Sequence, residues 1–77
     1  MLRFTVVLNP EENGYVVSVP ALPGCTTEGS SREEALRNVQ DAMRLYVEDL
    51  VSDGEPVPED VIPEVLRLDV EVPVGRI

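Results

Sequence analysis

The order of local patterns in this 77-residue chain predicts an α+β fold, in which one helix packs on a small antiparallel sheet. One segment near the N-terminus alternates apolar and polar residues, and the next places apolar residues two apart on one face, as half-buried strands do. A middle segment repeats apolar residues at helical spacing, and a segment near the C-terminus alternates again. We therefore expect a single domain over 1–77 with a three-stranded meander, one helix and a fourth strand, in the order β-β-β-α-β.

The first two strands are expected at 2–8 and 15–19. The side of the first strand expected to be buried carries Leu2, Phe4, Val6 and Leu8. Between the two strands, the sequence NPEENG at 9–14 is rich in residues that form turns. The two strands should therefore form a hairpin.

The segment VPALPGC at 19–25 interrupts the sheet pattern with two prolines and a glycine. Proline cannot donate to a ladder, so Pro20 should end the second strand, and Pro23-Gly24 should turn the chain into a short third strand at 25–28. The thiol of Cys25 has no histidine to act as its base, because the chain contains none. We expect Cys25 to be a small buried residue rather than a nucleophile.

The helix should start at two overlapping capping boxes within SSREE at 30–34 and run to about Val51, with Asp53-Gly54 ending it. One broad stripe is expected to pack on the sheet and consists of Ala35, Leu36, Val39, Ala42, Met43, Tyr46, Val47 and Leu50.

Leu45 lies opposite this stripe, beside Arg44, on the predicted solvent face of the helix. Single exposed leucines are common, so Leu45 is either an ordinary surface residue or a contact in an oligomer or partner interface. Leu45 and Arg44 are therefore candidate interface residues.

Residues 53–64 form an acidic, proline-rich connector between the helix and the C-terminal segment. This connector is either a stiff strap across the sheet edge or an acidic arm that contacts a basic partner. In the second case Glu55, Glu59 and Asp60 would be interface residues. The alternating sequence VLRLDVEV at 65–72 predicts the fourth strand, and residues 73–77 are expected to be frayed. The residues of that strand predicted to face the core are Leu66, Leu68, Val70 and Val72.

Charge and composition restrict the classes of function. The chain has 15 acidic and 6 basic residues and a formal charge of −9, which disfavours binding to nucleic acid and suits a basic partner. With one cysteine and no histidine, zinc and copper sites are excluded, and the acidic residues Glu28, Asp41 and Glu48 cannot be shown to converge on a metal. We expect no cofactor, no metal and no catalytic residues.

The length of the chain and the composition of its segments also predict its cellular location and its oligomeric state. No signal peptide or membrane span is apparent, and a single cysteine fits a reducing compartment, so we expect a cytoplasmic protein without membrane contact. A chain of this size buries only about 60% of its unfolded surface, which favours a homo-oligomer, either a dimer or a tetramer.

The sequence at 14–59 strongly resembles the HicB family of antitoxins and its stand-alone relatives, and the resemblance covers about residues 2–60. The resemblance lies in Gly-Tyr-Val at 14–16, Pro-Ala-Leu-Pro-Gly-Cys at 20–25, the Glu-Gly-Ser lead into the helix, Glu-Ala-Leu at 34–36 and the prolines after Asp53-Gly54. It implies a truncated ribonuclease-H-like fold and a non-enzymatic role. The implied role is to bind and mask HicA-type toxins, which are small basic mRNA-cleaving enzymes.

Full antitoxins of this family usually continue into a DNA-binding segment, where this sequence reads VEVPVGRI, so no direct DNA binding is expected. The alternative to an antitoxin is a self-associating regulatory or scaffold module without a toxin partner.

Overall fold

The computed structural model describes residues 1–73 and 75. Strands β1 (Val7–Glu11), β2 (Gly14–Ser18) and β3 (Thr26–Gly29) form one antiparallel sheet in the order β1-β2-β3. Helix α1 (Arg32–Ser52) follows and packs on β3 and β2. The predicted α+β class, with three antiparallel strands followed by one helix, is confirmed. Among the described residues, no helix is long and apolar enough to span a membrane.

The β1–β2 hairpin is tighter than the sequence suggested. The pairing runs from Val7 opposite Ser18 to the closing pair of Glu11 and Gly14, so the turn is two residues long. Pro10 lies inside β1, where it is tolerated because β1 is an edge strand.

The predicted strand at 2–8 pairs only from Val7 onwards. Continuing the same register would place Pro20 opposite Thr5, and proline has no N–H to donate. Residues 2–6 therefore run beyond the sheet as an N-terminal extension of β1, without a strand beside them in the described part of the chain.

The loop between β2 and β3 is a corner fixed by backbone hydrogen bonds. The N–H of Leu22 donates to Val19 O at 3.0 Å, and that of Cys25 donates to Leu22 O at 2.9 Å. The Tyr46 hydroxyl on α1 donates to Pro23 O at 2.9 Å and ties the helix to this corner. Leu22 is fully buried, and burial of Cys25 raises the pKa of its thiol. The expectation that Cys25 is a buried packing residue is confirmed.

The core lies between the sheet and α1 and is small. Its buried residues are Val17, Val19, Ala21, Leu22, Cys25, Ala35 and Val39. Half-buried side chains packed against them are Phe4, Val6, Leu8, Tyr15, Ala42, Met43, Tyr46 and Val47. Six of the eight residues of the predicted apolar stripe belong to this core or pack against it, whereas Leu36 and Leu50 do not. The largest fully buried side chain is a leucine.

Helix α1 begins at the second of the two predicted capping boxes. The Ser31 hydroxyl accepts a hydrogen bond from Glu34 N at 3.1 Å, while the Glu34 carboxylate accepts from Ser30 N at 2.6 Å. These bonds satisfy N–H groups at the start of the helix. At the other end, Gly54 adopts φ +72°, a left-handed conformation that ends helices, as predicted.

The junction between β3 and α1 depends on a close backbone approach. A Cβ placed on Gly29 would lie 2.8 Å from Ala35 Cα, so only glycine fits here without movement. The Asn38 side chain donates to Glu28 O at 2.8 Å and fastens the helix along the outer side of β3. The helix thus sits over β3 and β2 rather than centrally over all three strands.

The predicted fourth strand at 65–72 is not confirmed, because the described residues form a sheet of three strands only. The four residues predicted to face the core are instead largely exposed to solvent. Their exposed fractions are 70% for Leu66, 87% for Leu68, 82% for Val70 and 61% for Val72. An alternating pattern assigns two faces to a strand but does not provide a neighbour for it. The ribonuclease-H-like fold therefore stays a prediction, and three of the residues expected to be frayed (74, 76 and 77) lie outside the described residues.

Candidate interaction surface

A groove of about 490 Å³ lies between the N-terminal extension of β1 and helix α1. It is present because α1 covers β3 and β2 and leaves the β1 side of the sheet open. The groove is lined by Leu2, Phe4, Gln40, Asp41, Met43, Arg44, Val47 and Glu48. Its apolar side chains come from both walls, and its charged ones come from α1 alone.

Of the predicted interface residues, Arg44 lines this groove and Leu45 does not. Arg44 is paired with Asp41 one helical turn away, at 3.5 Å, but both side chains are largely exposed, so the pair contributes little stability. Leu45 is 56% exposed on the outer face of α1, which confirms its predicted position opposite the apolar stripe. Whether either residue lies in an interface stays a prediction.

Both carboxylate oxygens of Asp60 accept hydrogen bonds from other residues of the chain. Thr5 N donates to Oδ1 and the Thr5 hydroxyl donates to Oδ2, each at 2.8 Å, and Val61 N also donates to Oδ1. The bonds from Thr5 and Val61 lower the pKa of Asp60 below its ordinary value. The connector is thereby tied to the extension of β1, as the strap interpretation expects. No local sequence signal pairs Asp60 with Thr5, because 55 positions separate them.

Glu55 and Glu59 are exposed on the same connector. The backbone N–H of Glu55 donates to Leu50 O at 2.9 Å, which fixes the first residues of the connector against the end of α1. Their carboxylates face solvent within a dozen residues that also include Asp53, Asp60 and Glu64. This stretch is a strongly negative surface held to the body at both ends.

The carboxylates considered for catalysis lie apart. Glu28 borders a hollow at the β1–β2 turn, together with Glu11 and Glu12, whereas Asp41 and Glu48 line the groove at α1. In the part of the chain that the structure describes, no three histidine, cysteine, aspartate or glutamate residues are grouped so that they could hold a metal ion.

Comparison with known proteins places the chain in a family. The family described as the HicB-like antitoxin of bacterial toxin–antitoxin systems matches residues 4–71. The chain belongs to the HicB-like antitoxin family. The resemblance noted in the sequence is thus confirmed, and the family match extends beyond the helix and connector into the C-terminal segment.

Members of the HicB-like family similar to this chain include both short and longer proteins. A UPF0150 protein of Thermoplasma acidophilum is 45% identical over 83% of this chain and 94% of its own length. A UPF0150 protein of Helicobacter pylori is 51% identical over 68% of this chain and 72% of its own length. Antitoxin HicB 1 of Photorhabdus laumondii is 43% identical over 74% of this chain, but the match covers only 37% of that antitoxin.

Proposed function

We propose that this chain is a non-catalytic antitoxin domain that binds a small, basic, mRNA-cleaving toxin of the HicA type in the cytoplasm and masks its RNA-binding surface. Membership of the HicB-like antitoxin family is the observation that carries the proposal. A toxin that binds RNA must present a cationic surface, and a protein with a net charge of −9 competes for that surface.

The distribution of charge supports this role. Every acidic side chain except the half-buried Glu34 is exposed, and no charged side chain is buried among the described residues. Exposed charge acts over roughly 8 Å at physiological ionic strength, so it steers a basic partner before contact. Electrostatic complementarity of this kind chiefly raises the association rate and selects the partner.

The outer face of α1 and the connector are the parts of the surface that we assign to the toxin. Leu45 supplies an exposed apolar side chain beside charged residues, and an apolar centre with a polar rim is typical of interfaces. Glu55 and Glu59 supply exposed negative charge on a backbone held at Leu50 and Thr5. Asp60 has the different role of holding the connector in place.

The experiment is a titration of the purified chain into an RNA-cleavage assay of a basic HicA-type toxin, taken from the neighbouring gene if one is encoded there, with complex formation measured at low and high salt. We expect inhibition in proportion to complex formed, and weaker binding as salt is raised. No complex at low salt would overturn the proposal.

Two matched pairs of substitutions locate the contact. Glu55→Gln with Glu59→Gln should weaken binding roughly tenfold, because both charges would face the toxin directly. Glu11→Gln with Glu12→Gln removes the same charge from the hairpin turn and should change affinity by less than about twofold. Equal effects from the two pairs would mean that the connector gives only long-range attraction and is not a contact surface.

Leu45→Asp should weaken the complex by roughly tenfold or more.

A further inference from the structure

The C-terminal segment at 65–72, here called the apolar tail, is exposed in a way that the antitoxin role does not explain. Val65 is 83% exposed, and the four inward-predicted side chains, spaced two apart, are exposed to a similar degree. Single exposed apolar residues are common on proteins, but a regular run on one face of an extended segment usually marks a contact surface. The family match reaches residue 71 and so includes nearly all of this segment.

The apolar tail projects from the rest of the molecule. The Cα radius of gyration is 16.9 Å, whereas a compact chain of this length has about 11.5 Å. The extents are 60 × 26 × 18 Å, so the molecule is more than twice as long as it is wide. Ile62 precedes Pro63 and is therefore held in extended geometry.

The same molecule has an edge strand, β1, with a neighbouring strand on one side only among the described residues. The extension at 2–6 continues β1 beyond the sheet, and its Thr5 is bonded to Asp60 of the connector. Above this edge lies the groove, with Leu2 and Phe4 on one wall and Met43 and Val47 on the other. An eight-residue strand is roughly 27 Å long, so it fits along an edge of ten residues from Leu2 to Glu11, which is roughly 33 Å long.

We propose that the apolar tail of one copy adds as a fourth strand to the edge formed by β1 and its extension in a second copy, with its apolar face over the groove, and that the two copies exchange tails reciprocally. Such an exchange gives a closed dimer with twofold symmetry. Each tail then occupies one groove, and neither a tail nor a groove is left free to bind a third copy. Backbone pairing would satisfy the exposed edge, and the apolar residues of both tails would be buried.

An apolar groove on a second copy suits the tail better than a strongly basic partner does, because burial of its four alternating apolar side chains requires an apolar surface. The polar residues Arg67, Asp69 and Glu71 would lie on the other face of the tail, towards solvent. The small core also leaves the protomer in need of further burial.

The first test is the mass of the full chain in solution, measured by sedimentation equilibrium over a range of concentrations without any toxin. We expect twice the 8.5 kDa of the protomer. Leu68→Asp should weaken the dimer by roughly thirtyfold or more, since it places a charge where a leucine would be buried. Leu45→Asp makes the same change at an exposed leucine outside the groove and should leave the dimer intact. The circular dichroism of the Leu68→Asp protomer should keep its helical signal, because the tail is outside the core.

A mixing experiment distinguishes exchange of tails from other modes of dimerisation. Leu2→Asp damages the groove at a side chain that is already 58% exposed and spares the tail, whereas Leu68→Asp does the reverse. Each variant alone should be monomeric. An equimolar mixture should recover dimers, because the tail of the Leu2→Asp copy can occupy the groove of the Leu68→Asp copy.

A monomeric wild-type chain at all concentrations, an intact Leu68→Asp dimer, or no recovery on mixing would each overturn the exchange. These outcomes do not depend on the proposed toxin binding. The dependence on salt also distinguishes toxin binding from tail exchange. Attraction to a basic toxin weakens as the salt concentration rises. Association of two copies of charge −9 strengthens, because their mutual repulsion is screened.

Discussion

Strand β2 and the apolar tail both carry apolar residues two apart on one face, and their environments are opposite. Val17 on that face of β2 is fully buried, whereas Leu68 in the more regularly alternating tail is 87% exposed. β2 is joined to one neighbour by a two-residue turn and to the other by a hydrogen-bonded corner, with α1 above it. The tail follows a long connector and has no neighbour in the described part of its own chain. An alternating pattern specifies which face of a strand should be buried. The connections to neighbouring strands determine which surface buries that face.

The largest expected contrast is between the buried corner that follows β2 and the tail, and it is measured by removing one leucine side chain from each. Leu22→Ala empties a fully buried position at the corner and should lower the free energy of unfolding by about 2–5 kcal/mol. Leu68→Ala, made in the tail, should change it by less than about 0.5 kcal/mol at a dilution where the protein is monomeric. Urea unfolding followed by circular dichroism measures both. A large loss from Leu68→Ala in the monomer would mean that the tail packs on its own protomer.

A pair of glycines gives a second and smaller contrast. Gly29→Ala would bring a Cβ into contact with the backbone of Ala35, so β3 and α1 must separate, at a cost of about 1–3 kcal/mol. Gly75→Ala adds the same methyl group where nothing lies within 4 Å and should leave stability nearly unchanged. Thermal unfolding of the two variants at equal concentration tests the contrast. Equal melting temperatures would show that the junction between β3 and α1 yields more easily than its geometry indicates.

Local signals predicted most of the body. Four features depend only on residues that are close in sequence, and each could therefore be predicted from a short segment. They are the cap at Ser31, the helix end at Gly54, the corner after Val19 and the apolar stripe along α1. The late start of β1 was missed because it depends on which residue of the neighbouring strand falls opposite Thr5. That residue is Pro20, and only the register of the hairpin identifies it.

The groove and the Asp60 bond could not be predicted in the same way. The groove exists because the helix sits over β3 and β2, a placement set by the close approach at Gly29 and by the Asn38 bond to Glu28. The contact between Asp60 and Thr5 joins two positions whose local sequences are unrelated. Interactions of this kind depend on the path of the whole chain, which the patterns of a single sequence specify only weakly.

The smallest expected effect concerns Asp60, which marks the boundary between body and tail. Hydrogen bonds from Thr5 lower the pKa of Asp60 from its ordinary value of 3.8, so the folded protein favours the ionised carboxylate. A depressed folded-state pKa stabilises the fold at pH values above 3.8, and this stabilisation is lost as the pH falls through the lower folded-state value. The hydrogen bonds from Ser30 lower the pKa of Glu34 in the same way from 4.5, so both groups contribute to a loss of stability in acid.

Asp60→Asn should therefore reduce the slope of unfolding free energy against pH below about 3.8, with little change in the fold at neutral pH. Thr5→Val keeps the shape of Thr5 but removes one of the two bonds that it donates to Asp60, so it should produce part of the same change. In the double variant the two effects should not add, because they act on one contact. Additive effects would show that Asp60 acts on stability independently of Thr5. The connector would then be held to the body by other contacts, and the direction in which the tail leaves would not depend on this bond.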